Sequence, residues 1–196
     1  MWNEKYANEQ FVYGTEPNDF LKKSSHHFVP GSRILCIAEG EGRNAVWLAS
    51  QGFDVTAVDA SDVGLAKGKK RAEANGLKIQ WIHADLATYD IGRQQWGGIV
   101  AIFAHLPPTL RHQVHGNCAS GLQSSGVFLL EAYTPEQLKF KTGGPSDITW
   151  LMTPETLRQE LPGLRFAHLQ KLEREIHEGI AHTGHASVVQ LIARRD

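Results

Sequence analysis

The chain is 196 residues long, 41% hydrophobic and 21% charged, the composition of a single globular domain and not of a disordered chain. Twenty basic against 21 acidic side chains leave a formal net charge of −1, which supplies no general basic surface for nucleic acid, and no apolar run approaches the roughly 18 residues of a membrane span. The polar first ten residues do not read as a secretory signal. Two cysteines, Cys36 and Cys118, make no disulfide framework, so a soluble, cytoplasmic protein is expected.

The first apolar run, Arg33 to Ala38, is short and followed by glycines, the pattern of a buried strand. Asn44 to Ser50 reads as a helix with Ala45, Leu48 and Ala49 on one face, closed by Gly52. Phe53 to Val58 is a second strand, and a helix from about Ser61 to Asn75 is stopped by Gly76. Lys78 to His83 and Gly98 to Phe103 are the third and fourth strands. Pro108 to Ala119 is helical with proline in its first turn, and Val127 to Ala132 is a fifth strand. This alternation predicts an α/β, Rossmann-like, doubly wound and mostly parallel sheet with helices on both faces. Ligands bind such sheets at the edge shared by the C-terminal ends of the strands.

The last third differs. Residues 134–150 are polar, carry Gly143-Gly144-Pro145 and read as a long loop over the site, with the length and glycines of a lid. Thr153-Pro154-Glu155 opens a short helix ending near Leu161. Phe166 to Ile176 and Ala186 to Ala193 read as strands joined by the His/Gly segment 177–185, an antiparallel C-terminal hairpin that brings the sheet to about seven strands. No repeat or linker divides the chain, so 1–196 is read as one domain.

The main chemical signal is Ala38-Glu39-Gly40-Glu41-Gly42-Arg43-Asn44-Ala45, between a strand and a helix. Glycines there allow a sharp turn and a close approach of ligand to main chain. Asp59 ends the second strand 19 positions after Gly40, the spacing at which a carboxylate accepts ribose hydroxyls; capping the helix from Ser61 is the other use. Asp85 ends the third strand on the same edge, placed to accept an exocyclic amine such as that of adenine, or to serve a turn. Gly40-x-Gly42-x-x-Ala45 also meets the dinucleotide fingerprint. Charge separates the two cofactors. Glu39 and Glu41 would repel a pyrophosphate, whereas S-adenosylmethionine presents a sulfonium and an ammonium.

Ile34 to Ala45, Val58-Asp59-Ala60-Ser61 and Ala84-Asp85-Leu86 together resemble the class I S-adenosylmethionine-dependent methyltransferases over nearly the whole chain. Gly42-Arg43-Asn44 and Tyr13-Gly14-x-x-Pro17-Asn18-x-Phe20-Leu21 are similar to the small tellurite-resistance and thiopurine methyltransferase-like group. The resemblance implies S-adenosyl-L-methionine as cofactor and S-adenosyl-L-homocysteine as product. It places the Ala38, Glu39, Gly40 and Gly42 backbone against the methionine part, with Asn44 among the cofactor-binding residues. Asp59 would hold the ribose, Ala60 would lie beside the adenine, Asp85 and Leu86 would bind its edge, and Phe103 would sit near the transferable methyl. Tyr13 and Gly14 would belong to an N-terminal helical segment, residues 1–30, that closes over the site. Ala38 departs from the usual first glycine, which a negative φ accommodates, and Cys36 replaces the common acid. The His-Arg pair implicated at the acceptor site of the tellurite-resistance group corresponds here to His177-Glu178.

For the acceptor side the candidates are His105 after the fourth strand, Tyr133 after the fifth and His177 in the hairpin, beside His182 and His185. His105 would orient or deprotonate an acceptor. Arg111 is either an anion ligand or part of a solvated helix face, and His112 and His115 read as surface. The histidines show no zinc spacing, so no metal is expected. No nucleophile elbow points to a hydrolase, and no Asn-Pro-Pro-Tyr-like signature points to a nucleic-acid amino group. The expectation is a methyltransferase, monomer or homodimer, acting on a small-molecule substrate, a thiol or related chalcogen by resemblance, with no nucleic-acid or membrane partner. The alternatives are an NAD(P)-dependent oxidoreductase on the same fold and a non-catalytic S-adenosylmethionine-binding protein.

Overall fold

The structure is a computed structural model and describes residues 2–196. Five strands run parallel: β1 (Arg33–Ile37), β2 (Asp54–Asp59), β3 (Gln80–His83), β4 (Trp96–Ile102) and β5 (Leu122–Tyr133). Two long antiparallel strands, β6 (Leu164–Glu178) and β7 (His182–Arg195), complete a seven-stranded sheet in the order β3-β2-β1-β4-β5-β7-β6. The order reverses between β1 and β4, which opens a crevice beyond their C-terminal ends.

Alternation along the central strands sorts side chains to two faces. Leu35, Ile37, Ile99, Phe128 and Leu130 pack on one face with Val114 and Cys118 of α5 (Pro108–Gly121) and Leu157 of α6 (Pro154–Glu160). Ile34, Cys36, Val100 and Leu129 pack on the other with Phe20 and Leu21 of α2 (Asp19–Ser24) and Ala45 and Leu48 of α3 (Arg43–Ser50). A short α1 (Trp2–Tyr6) lies against α4 (Asp62–Ala74), tied by Asn3 Nδ2 donating to Asp62 Oδ1 at 2.7 Å. Ser61 caps α4, accepting from Gly64 N at 3.0 Å.

The connection 84–95 between β3 and β4 is made of turns. The doubly wound α/β sheet and the C-terminal hairpin agree with the sequence reading, with three local differences. β5 starts at Leu122, five residues early, because a register shift between Trp96 and Gly98 absorbs Gln123–Gly126. The hairpin turn is only 179–181, not 177–185, because the polar His/Gly stretch finds ladder partners in Glu178↔His182 and His177↔Thr183. His115 and Arg111 are buried: Arg111 Nε donates to both Glu160 oxygens at 3.0 and 3.1 Å, and His115 Nδ1 lies 2.7 Å from Glu160 Oε2. They join α5 to α6 and are neither a solvated face nor an anion site.

The hairpin tip docks on the N-terminal segment. Ala181 N donates to Val12 O at 3.2 Å, and Gly179, at φ +66°, faces the backbone of Val12 and Gly14 with no room for a Cβ. Gly179→Ala is therefore expected to lower the melting temperature by several degrees and to speed proteolysis after Phe11 and Tyr13, read by thermal melts and limited chymotrypsin digestion.

Candidate functional site

At the C-terminal edge of the parallel strands lies a cavity of about 570 Å³, the size of a small-ligand pocket. The loop after β1, the ends of β2, β3 and β4, the N-terminal segment and residues 143–150 all contribute to its wall. Ten of the sequence candidates line it: Tyr13, Ala38, Glu39, Asn44, Asp59, Ala60, Asp85, Leu86, Phe103 and His105. The C-terminal ends of β1, β2, β3 and β4 meet there because parallel strands deliver their following loops to one edge.

Asp59 is 8% exposed and fixed by two backbone donors, Gly40 N to Oδ2 and Ser61 N to Oδ1, both at 2.8 Å. Each oxygen keeps a lone pair for a ligand hydroxyl. Burial raises its pKa, opposed by those N–H groups. Both uses read from the sequence therefore share one carboxylate: it braces the loop and the start of α4 while lining the cavity. Asp85 is exposed on the wall, with Oδ1 accepting from Ala87 N at 2.9 Å.

Glu39 is the most perturbed acid of the wall. Its Oε1 accepts from Ala45 N at 2.7 Å, yet burial outweighs this and raises its pKa to about 7. Glu41 plays a different part. It accepts from Val12 N at 2.7 Å and is paired with Lys67, so it clasps the N-terminal segment with its charge neutralised.

Several expected roles are corrected. A Cβ on Gly40 would sit 2.6 Å from the Tyr6 hydroxyl, and one on Gly42 2.5 Å from the Trp81 ring. On the Cβ side these glycines are filled by Tyr6 of α1 and Trp81 of β3. Ala38 takes φ +49°, not a negative φ, and Phe103 takes φ +53°. Strained non-glycine backbone thus sits at the ends of β1 and β4, both against the cavity. Asn44 lines the wall but its Oδ1 accepts from Asn18 N at 2.9 Å, holding the N-terminal segment.

On the acceptor side the corrections go further. His105 Nδ1 faces Phe103 O at 3.0 Å and Nε2 accepts from Tyr133 N at 3.0 Å, so both nitrogens are spent on backbone. Burial drives its pKa down to about 3, a neutral ring that ties β4 to β5 and has no lone pair for an acceptor. Tyr133 is fully buried beneath Gly143 and Gly144; its hydroxyl has no partner, and burial pushes its pKa up. His177 is exposed on β6 and does not line the cavity. The hairpin sends His182 there instead, packed 4.4 Å from the Tyr13 ring and 4.8 Å from Phe103 between centroids.

Beneath the cavity runs a buried charge network that the sequence reading missed. Glu131, 0% exposed, accepts from Asn18 Nδ2 at 2.5 Å, from Arg174 Nε and Nη2 at 2.8 Å and from Gln190 Nε2 at 2.8 Å. Glu178 accepts from Arg43 Nη2 at 2.5 Å and Asn18 Nδ2 at 2.8 Å. Burial opposes its ionisation, but His182, Arg43 and Asn18 outweigh burial and hold its pKa at about 2. The available signal was Glu131 itself, a charge inside the apolar run Val127 to Tyr133.

Residues 34–126 match the methyltransferase domain family. Among solved structures, TehB from Haemophilus influenzae superposes with a TM-score of 0.75 at 17% identity, covering 100% of this chain and 66% of that one. A structure from work on the conversion of a disulfide bond into a thioacetal group during echinomycin biosynthesis superposes with a TM-score of 0.78 at 15% identity, covering 99% and 88%. Among curated proteins, a 23S rRNA (uracil(747)-C(5))-methyltransferase of Pyrococcus abyssi is 31% identical over 84 residues, 38% of this chain and 20% of that protein. The chain spans about a fifth of the length of the first curated relatives it matches. The matched segment is of the methyltransferase type, on the fold of enzymes whose cofactor is S-adenosyl-L-methionine.

Proposed function

We propose that this chain is an S-adenosyl-L-methionine-dependent methyltransferase acting on a small-molecule acceptor, with thiols and related chalcogens the first class to test. The observation that carries the reading is the acidic wall of the cavity: a braced Asp59 with lone pairs to spare beside a Glu39 held near neutrality. That wall suits a nucleoside carrying positive charge and repels a pyrophosphate, which disfavours the NAD(P) alternative. Glu41 does not enter this argument, since Lys67 already neutralises it.

When bound, the cofactor supplies a methyl carbon activated by cationic sulfur. The chain's own residues do the rest. Asp59 accepts ribose hydroxyls, Glu39 faces the ammonium, and Asp85 and Leu86 edge the adenine. Tyr13, Trp150 and residues 143–147 line the wall and exclude water. The cavity volume and its covering segments favour a small molecule over a polymer. The rRNA methyltransferase likeness covers 84 residues and carries no acceptor to this chain.

The test is a melting curve with S-adenosylhomocysteine, beside reduced nicotinamide dinucleotide. At a hundredfold excess over Kd, stabilisation of about 2.7 kcal/mol is expected, a rise of several degrees with the first ligand alone. A rise with the dinucleotide alone overturns the reading. Tight binding without turnover of any small acceptor leaves the non-catalytic alternative.

A further inference from the structure

His182 is the only histidine on the cavity wall whose ring is not consumed by backbone, among the described residues. Its Nδ1 is sealed from solvent and sits 3.9 Å from Glu178 Oε2, an ion-pair distance and not a hydrogen bond. The ring lines the cavity, and Nε2, unlike Nδ1, is neither sealed from solvent nor taken by a described protein group. Glu178 is itself held by Arg43 Nη2 at 2.5 Å and Asn18 Nδ2 at 2.8 Å, so the carboxylate behind the ring is fixed. The imidazole is walled by aromatic rings: Tyr13 at 4.4 Å, Phe103 at 4.8 Å and Tyr133 at 5.2 Å between centroids. Phe103 is also the residue whose strained backbone ends β4.

We infer that His182 is the acceptor-side general base, oriented by Glu178, and that the acceptor is a flat aromatic molecule bearing a weakly acidic O–H or S–H. The inference rests on the methyltransferase reading above. In the step, the acceptor oxygen or sulfur bonds to the methyl carbon as that carbon's bond to the sulfonium breaks. The electron pair stays on the departing thioether, the acceptor's proton passes to His182 Nε2, and water later removes it. The aromatic rings of Tyr6, Tyr13, Phe103 and Trp150, which line the cavity, favour a planar ring by stacking and edge contacts. A carboxylate behind Nδ1 favours the tautomer that leaves Nε2 free to accept.

The charge environment is consistent with a base at neutral pH. The groups around the ring are Glu178 on β6, Arg43 on α3, Lys5 on α1, Tyr13 in the N-terminal segment, His105 after β4 and Tyr133 on β5. Burial lowers the His182 pKa, Glu178 opposes it, and Arg43 and Lys5 lower it further, so the ring is neutral at pH 7.

The experiment compares His182→Gln with the parent protein, using S-adenosyl-L-methionine with 4-methylphenol, a phenol of pKa about 10 that arrives protonated, or 4-nitrobenzenethiol, which arrives ionised. General-base loss predicts kcat/KM for the phenol falling about a hundredfold, and a fall at least ten times larger than for the thiol. Equal losses overturn the base role. A parent protein that binds S-adenosylhomocysteine by calorimetry and methylates neither compound overturns the acceptor class. Failure to bind S-adenosylhomocysteine instead overturns the function proposed above. A readout independent of turnover is the ¹⁵N spectrum of the His182 ring in the free and S-adenosylhomocysteine-loaded protein at pH 7. Nδ1 protonated with Nε2 bare is expected, and Glu178→Gln shifts the titration to lower pH and erases the tautomer preference. A protonated Nε2 with a bare Nδ1 sinks the proposal.

Discussion

Replacing Glu39 with glutamine will stabilise the ligand-free protein while weakening S-adenosylhomocysteine binding. Burial raises the Glu39 pKa from an ordinary 4.5 to about 7, so the folded chain holds this proton more tightly than the unfolded chain does. Its contribution is least unfavourable below pH 4.5 and worsens as pH rises to about 7, above which the full cost of a buried carboxylate is felt. A shift of that size corresponds to about 3 kcal/mol; because one edge of Glu39 still touches the cavity, 2–3 kcal/mol is the expected order. Glutamine keeps an acceptor for Ala45 N and removes the charge. At pH 8 the variant should melt on the order of 5–10 °C higher, with the gain vanishing toward pH 5. Binding should weaken by roughly ten- to a hundredfold, the worth of one hydrogen bond to a charged group. A ligand ammonium beside Glu39 favours its ionised form. The parent protein should therefore bind more tightly at pH 8 than at pH 6 and release protons on binding, which calorimetry in buffers of different ionisation enthalpy will register. A variant that neither gains stability nor loses affinity removes Glu39 from the site.

Arg43→Met will produce the largest loss of stability. Arg43 and Arg174 balance the buried pair Glu131 and Glu178, and Arg43 and Glu178 are 6% and 7% exposed. Removing one partner of such a pair leaves an uncompensated buried charge, a cost of about 3–5 kcal/mol, or a melting temperature lower by on the order of 10 °C. The depressed Glu178 pKa stabilises the fold above pH 4.5, and that contribution is lost as pH falls to about 2. Without Arg43 the folded pKa rises, so acid should begin to destabilise the variant at a higher pH than the parent. Adding Glu178→Gln should recover most of the loss, because the orphaned charge disappears with it. A double-mutant cycle by chemical denaturation measures this coupling; additive losses would remove the pair from the stability account. Asn18 bridges both glutamates, so the same change is expected to loosen the N-terminal segment over the cavity.

The expected results at Gly179 and at His182 depend on the same long-range contacts, and they mark where sequence reasoning stopped. The strands β1 to β5, the helices α3 to α6 and the hairpin were legible because each is written in a short run whose period or punctuation is local. The acidic wall was legible for the same reason. Asp59 and Asp85 end strands that parallel winding must align, and the loop Ala38 to Asn44 sits between a strand and a helix.

Other features depended on partners far along the chain. A strand shows opposite faces at successive residues, so the choice between His177 and His182 for the cavity turned on the pairing register of β6 with β7, and a turn shorter by two residues at its start and four at its end decided it. The reading of His105 as a base failed because two backbone groups, one of them Tyr133 N from another strand, satisfy its nitrogens. Gly40 and Gly42 kept their conformational role, while the neighbours that fill the space beside them come from Tyr6 and Trp81. The pairing of Arg43 with Glu178 spans 135 residues. By itself the sequence determined what local periodicity and turn chemistry encode: the sheet, its ligand edge and the acids that edge presents. Burial, hydrogen-bond partners and charge balance belong to groups that meet only when the chain closes, so the tertiary structure alone decided the pKa of Glu39, the silence of His105 and the place of His182 on the cavity wall.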